Sequence, residues 1–138
     1  MIAITGGKIL TMDEAGSIEN GVILVEGEFI KSVGENEGLP SDCQVIDAKG
    51  KYILPGFIDA HSHIGLEEEI YQSEGDDVNE SSDPITPYLQ AADGINFHDL
   101  AFSDALRGGV TRSLSMPGSA NIIGGQAVFL KHLAGSPG

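Results

Sequence analysis

Short apolar runs broken by glycine-bearing turns fill the first 53 residues. MIAITGGKILTM predicts an apolar strand, a turn at Gly6–Gly7 and a second strand. GVILVEGEFIKSVG has the form of a hairpin: Val22 to Val25, a turn around Glu26–Gly27, then Phe29 to Val33. EGLPSD, residues 37–42, is expected as a loop, and CQVIDAKGKYIL offers two short strands around Lys49–Gly50. This half predicts a small β-sandwich or sheet without chemistry of its own.

The pattern changes at Pro55. PGFIDAHSHI reads as a strand whose Pro–Gly start marks a boundary. Residues 65–87 are polar and acidic with no period, a long loop of the kind that is often functional. In FHDLAFSDALRGG, Phe102, Ala105 and Leu106 fall at i, i+3, i+4, which predicts a helix; Arg107 suits its last turn, and Gly108 or Gly109 its left-handed cap. VTRSLSMPG predicts another strand, and Gln126 to Lys131 a third after a glycine turn; the remainder to Gly138 is turn-like. Strand, helix, strand, strand is the beginning of an α/β arrangement.

Composition narrows the partners. The 138 residues carry 21 acidic and 7 basic side chains, a formal charge of −14, which repels nucleic acid and anionic membrane. Cys43 is the only cysteine, so neither an intramolecular disulfide nor a thiolate metal site is expected. No apolar run approaches the ~20 residues that span a bilayer, and no signal peptide is seen, so a cytoplasmic location is the default expectation.

Chemistry concentrates in ILPGFIDAHSHIGL, residues 53–66. Side chains alternate along a strand, so Phe57, Asp59, His61 and His63 are expected on one face and Ile58, Ala60, Ser62 and Ile64 on the other. Both faces are apolar early in the run, which predicts cover on both sides, as in a parallel sheet. Two imidazoles two residues apart can lean toward one cation ~2.0–2.1 Å from each nitrogen, with zinc, iron, nickel or manganese all suited. The same spacing also fits surface or hydrogen-bonded core histidines, and the residues alone leave both readings open.

ILPGFIDAHSHIGL resembles the first barrel strand of the metal-dependent amidohydrolase superfamily, and the wider chain resembles its imidazolonepropionase-like branch. ALRGGVTRSLSMPGSANIIGGQAVFLKH is similar to that branch's first barrel helix, second strand and glycine loop. The resemblance implies an N-terminal β-sandwich-like domain, 1–53, and the first strands and helix of an incomplete TIM (β/α)8 barrel, 54–138. It implies a hydrolase of carbon–nitrogen bonds using one or two divalent ions, usually zinc. His61 and His63 match its first two metal ligands; Asp59 matches a supporting aspartate. The family's further ligands and its catalytic aspartate come from later strands, and a full barrel needs ~250 residues. The chain is therefore expected to be an N-terminal fragment, inactive alone, with no catalytic residue of its own.

Other residues fit blander roles. His98 is expected near a helix start as a surface or capping group, and His132 as solvent-facing beside Lys131. Glu67, Glu68, Glu69, Asp76 and Asp77 form a solvated acidic loop or contact a cationic substrate group. Ser119, Asn121 and Gln126, with Ser115 nearby, belong to a tight turn or a substrate loop; no serine has an evident partner histidine. A small-molecule substrate is expected. An unpaired strand edge and uncovered apolar faces predict that the chain alone self-associates or orders poorly in its second half, and a homo-oligomer is expected. The rival to an enzyme is a non-catalytic assembly module with vestigial histidines.

Overall fold

The computed structural model describes residues 1–35, 38–70 and 72–133. Glu37 of the loop expected at 37–42, Tyr71 of the acidic loop, and the turn expected at 134–138 lie outside them. The chain divides into two units, Met1–Pro55 and the residues from Gly56 onward.

In the first unit, β1 (Ile2–Leu10), β2 (Ser17–Glu26), β3 (Phe29–Gly34) and β4 (Gln44–Asp47) form one mixed sheet in the order β3-β2-β1-β4, and β5 (Tyr52–Ile53) also pairs with β1. The β1–β2 and β2–β3 pairs are antiparallel; β4 and β5 lie parallel to β1. Gly27, at φ 61°, is the first of two residues joining Glu26 to Phe29, the position where a tight hairpin demands a positive φ. Ala3, Ile9, Val22, Ile23 and Ala48 are buried apolar side chains of this unit.

The turn expected at Gly6–Gly7 is instead the middle of β1. The register against β2 shifts on both sides of Gly7, so the glycines make an irregular, bulged strand. A Cβ on Gly7 would lie 2.7 Å from Cδ1 of Ile53, so the missing side chain permits close packing of β5.

In the second unit, β6 (Phe57–Ser62), β7 (Val110–Ser115) and β8 (Val128–Lys131) form a sheet in that order. β6 and β7 are parallel, joined by a connection containing the short turn α1 (Ala91–Gly94) and helix α2 (Leu100–Arg107). Parallel neighbours need such a crossover, and this part of the expected α/β pattern is present. β8 runs antiparallel to β7.

Helix α2 starts three residues later than its pattern suggested, because Asp99 caps it: Oδ1 accepts the Ala101 N–H at 3.2 Å. Gly109, at φ 85°, supplies the left-handed residue beyond its end. Phe102, Ala105 and Leu106 are half-buried, as a face turned to the sheet requires.

Cover on both sides of β6 is not observed. Phe57 is 55% and Ile58 58% exposed. β6 is an edge strand of a three-stranded sheet, and one eight-residue helix is too small to bury it among the described residues. The acidic loop is better anchored than its lack of period suggested. Leu66, Val78 and Ala91 form a buried cluster with Ile95 and Val128 packed against it. The backbone of Glu67 pairs with that of Asp76 in an isolated antiparallel β-bridge, and that of Ile85 with Ile123 in a parallel one.

Candidate metal centre

Three features of β6 set the geometry. The first is a register shift against β7: Asp59 faces Ser113 and Ser62 faces Ser115, so three steps on β6 oppose two on β7. That extra residue bulges the strand just before the second histidine and breaks the simple alternation expected from the sequence. The second feature is a local bond at the bulge. The His61 backbone N–H is accepted by Oδ1 of Asp59 at 3.0 Å. Asp59 thus supports the histidine backbone locally.

The third feature is the end of the strand. Met116 donates its N–H to the Ser62 carbonyl at 3.0 Å, and the chain then turns through Gly65 at φ 79°. Leu66 and Glu67 both donate N–H groups to the His63 carbonyl, at 2.9 and 3.1 Å. His63 is therefore held in backbone on the side of the loop as well as the strand.

The two imidazoles stand together. Their ring centroids are 5.7 Å apart and their planes 85° to one another. Two imidazoles on one tetrahedral ion, with nitrogens at 2.0–2.1 Å, have centroids about 5 Å apart. His61 is exposed and His63 half-buried. His63 Nδ1 lies 2.7 Å from the Met116 carbonyl oxygen. A carbonyl only accepts, so Nδ1 carries the proton and Nε2 of the neutral ring keeps a free lone pair. A backbone carbonyl on the far nitrogen is the usual partner of a ligating histidine. The pair could therefore supply two donors to a divalent ion. Among the described residues no group of three His, Cys, Asp or Glu side chains is placed to complete a site.

The remaining candidates separate clearly. His98 is exposed, its N–H bonded to Oδ1 of Asn96. His132, expected to face solvent, is 5% exposed. Its Nδ1 donates to the Val110 carbonyl at 3.1 Å and its Nε2 lies 2.9 Å from Oγ of the buried Ser113. Phe102 of α2 packs edge-on against the ring at 5.3 Å. A serine with a partner histidine does exist, then, but Ser113 is 1% exposed and inaccessible to a substrate. The sequence hid this pair because β8 turns back antiparallel and brings position 132 under the helix.

Asn121 and Gln126 spend amide hydrogens on backbone: Asn121 on the Glu80 and Asp83 carbonyls at 2.8 and 3.0 Å, Gln126 on that of Pro87 at 3.3 Å. They clasp the 117–126 loop to the acidic loop. Ser119 is exposed. Between the two loops lies a cavity of about 580 Å3 whose walls include Asp76, Asp77, Glu80, Asp93 and Asn121. Glu67 and Glu69 are exposed, and Glu68 is half-buried. Ser82 donates its backbone N–H to Glu80 Oε1 at 2.7 Å, and this bond holds the Glu80 carboxyl below the usual carboxylate range.

The chain matches the pattern of the Amidohydrolase family over residues 44–87. It is 40% identical over 118 residues to Amidohydrolase tasK of Hapsidospora irregularis, covering 83% of this chain and 12% of that protein. A 5′-deoxyadenosine deaminase of Methanococcoides burtonii is 34% identical, with 88% of this chain and 26% of the relative covered. An imidazolonepropionase of Rhizobium meliloti is 47% identical over 53 residues, 36% of this chain and 13% of its own length. Among solved structures, an amidohydrolase from Thermotoga maritima MSB8 superposes with a TM-score of 0.85 at 39% identity, over 97% of this chain and 34% of that one. This chain belongs to the amidohydrolase superfamily, with the imidazolonepropionases among its relatives. It spans between about an eighth and a third of the length of these proteins. No helix among the described residues is long and apolar enough to cross a membrane.

Proposed function

We propose that this chain is the metal-donor segment of a hydrolase that cleaves a carbon–nitrogen bond in a small molecule. His61 and His63 would hold a divalent ion, with zinc among those that neutral imidazoles suit. The observation that carries the reading is the paired rings 5.7 Å apart, with His63 Nδ1 occupied by the Met116 carbonyl and Nε2 left as a donor. When bound, the ion supplies Lewis acidity and makes a water a stronger acid. Asp59 keeps the bulged strand in shape, and the backbone bonds to the His63 carbonyl hold the second ring in place. The relatives' names, an amidohydrolase, a deaminase and an imidazolonepropionase, support the bond type.

Two imidazoles are fewer donors than a closed or catalytic zinc site takes. The remaining donors and the catalytic acid–base group are assigned to further strands of a (β/α)8 barrel, of which β6, α2 and β7 supply one unit. The segment alone is then inactive. The test is hydrolysis of a panel of cyclic amides and aminopurine nucleosides by the zinc-loaded whole protein bearing this segment. Turnover of one class, abolished in His61→Ala and His63→Ala with the fold intact, supports the reading. Turnover unaffected by either substitution contradicts it.

A further inference from the structure

We infer that Ser115 is a positioning residue for the histidine pair, acting through the Ile64 carbonyl. The inference rests on the metal-donor reading, and its test below separates the two.

Ser115 is the last residue of β7 and is fully buried. A buried hydroxyl without a partner is costly, and alanine has nearly the same shape, so the hydrogen bond it makes is what serine adds at this position. The Oγ donates to the Ile64 carbonyl at 2.8 Å. The β6–β7 ladder ends at the Ser62–Ser115 pair. Beyond that point three bonds still tie the two strand ends together. Met116 N–H reaches the Ser62 carbonyl, Ser115 Oγ reaches the Ile64 carbonyl, and the His63 ring reaches the Met116 carbonyl. His63 thus sits between two backbone anchors, one on each neighbouring residue. The Ser62 anchor is a main-chain bond that any residue at 116 except proline can make. The Ile64 anchor depends on the side chain at 115.

Without the Ser115 hydroxyl, the segment after His63 loses its attachment to β7 just where Gly65 turns the chain away. The ring nitrogen then no longer meets the Met116 carbonyl at a fixed 2.7 Å, and the Nδ1–H tautomer loses its preference. Nε2 is then no longer held free. Serine at 115 acts on the orientation and tautomer of His63, and touches neither ring itself.

The experiment is a long-range 1H–15N correlation of the histidine side chains in the 138-residue chain, at about pH 8.5, where imidazoles are neutral. Wild type is expected to show His63 protonated at Nδ1. In Ser115→Ala, His63 is expected to become a mixture of tautomers while the buried His132 signals stay unchanged and certify the fold. Zn2+ affinity, titrated with zinc sulfate alone, is expected to fall about tenfold, the lower end for loss of a partner that orients a ligand. Ser115→Cys keeps the shape with a weak S–H donor and is expected to give a smaller shift in the same direction; it serves if the alanine variant does not fold. A folded variant of either kind in which His63 stays wholly Nδ1–H overturns the inference, even if zinc binds the wild type. A tautomer that responds to Ser115, in a whole protein whose metal content is unchanged by His61→Ala and His63→Ala, upholds the positioning role and defeats the metal-donor reading.

Discussion

His63 Nδ1 and the carbonyl oxygen of Met116 lie 2.7 Å apart across 53 residues of sequence. This contact joins the end of β6 to the end of β7 and makes the ring present Nε2. The site is therefore a product of the β6–α2–β7 crossover, since the two partners meet only when the helix has returned the chain to the parallel neighbour.

Gly65 tests the turn that follows the pair. It is buried at φ 79°, and a Cβ there would meet Ile95 Cγ2 at 3.0 Å and Phe102 Cζ at 3.1 Å. Gly65→Ala combines a left-handed backbone with crowding, and we expect it to destabilise the chain by about 1–3 kcal/mol. Urea unfolding measures this. A midpoint unchanged from wild type would show that the turn relaxes freely.

The buried Ser113–His132 contact is structural, and its removal acts on stability alone. Ser113→Ala leaves His132 Nε2 without its 2.9 Å partner, and His132→Ala leaves the Ser113 hydroxyl unsatisfied and opens a void beside Phe102. Each is expected to cost about 1–3 kcal/mol, His132→Ala the more. A double-mutant cycle should return a coupling energy near 1 kcal/mol. Additive effects would mean that the two groups do not share a bond. Zinc binding at His61 and His63 is expected to be unchanged in Ser113→Ala.

Much of the frame was legible in the residues, and the failures have definite causes. The hairpin at Gly27 and the left-handed Gly109 beyond the helix followed from turn and cap chemistry, which acts over a few residues. The Gly6–Gly7 pair misled because glycine serves turns and bulges alike; only the packing of Ile53 over Gly7 distinguishes them. The proximity of His61 and His63 was readable from spacing. The Met116 contact and the burial of His132 were not, because both depend on which strand lies beside which and in what direction. The bulge at Asp59–Ser62 is likewise a property of the β6–β7 register, invisible in either strand alone.

Acid is expected to loosen the loop at Glu80 before neutral conditions change it. The bond from the Ser82 N–H holds the folded-state pKa below the ordinary carboxylate value. A depressed carboxyl pKa contributes stability that is fully present above the unfolded value and is lost as pH falls through the folded one. The Ser82 amide resonance should therefore stay constant from neutral pH down to the usual carboxylate range and move only at lower pH. Glu80→Gln should weaken that dependence. A Ser82 resonance that titrates around pH 6–7 would contradict the assignment.

Whether His61 and His63 act as paired donors to one ion is decided by a zinc titration of the whole protein bearing this segment, followed by histidine side-chain NMR. Zn2+ is expected to move the Nε2 resonance of His63 and the ring of His61 together, to leave His98 and His132 in place, and to leave His63 unmoved in His61→Ala. Zinc that shifts only His98 or the acidic loop, or that leaves both rings of the pair untouched at millimolar concentration, would contradict it.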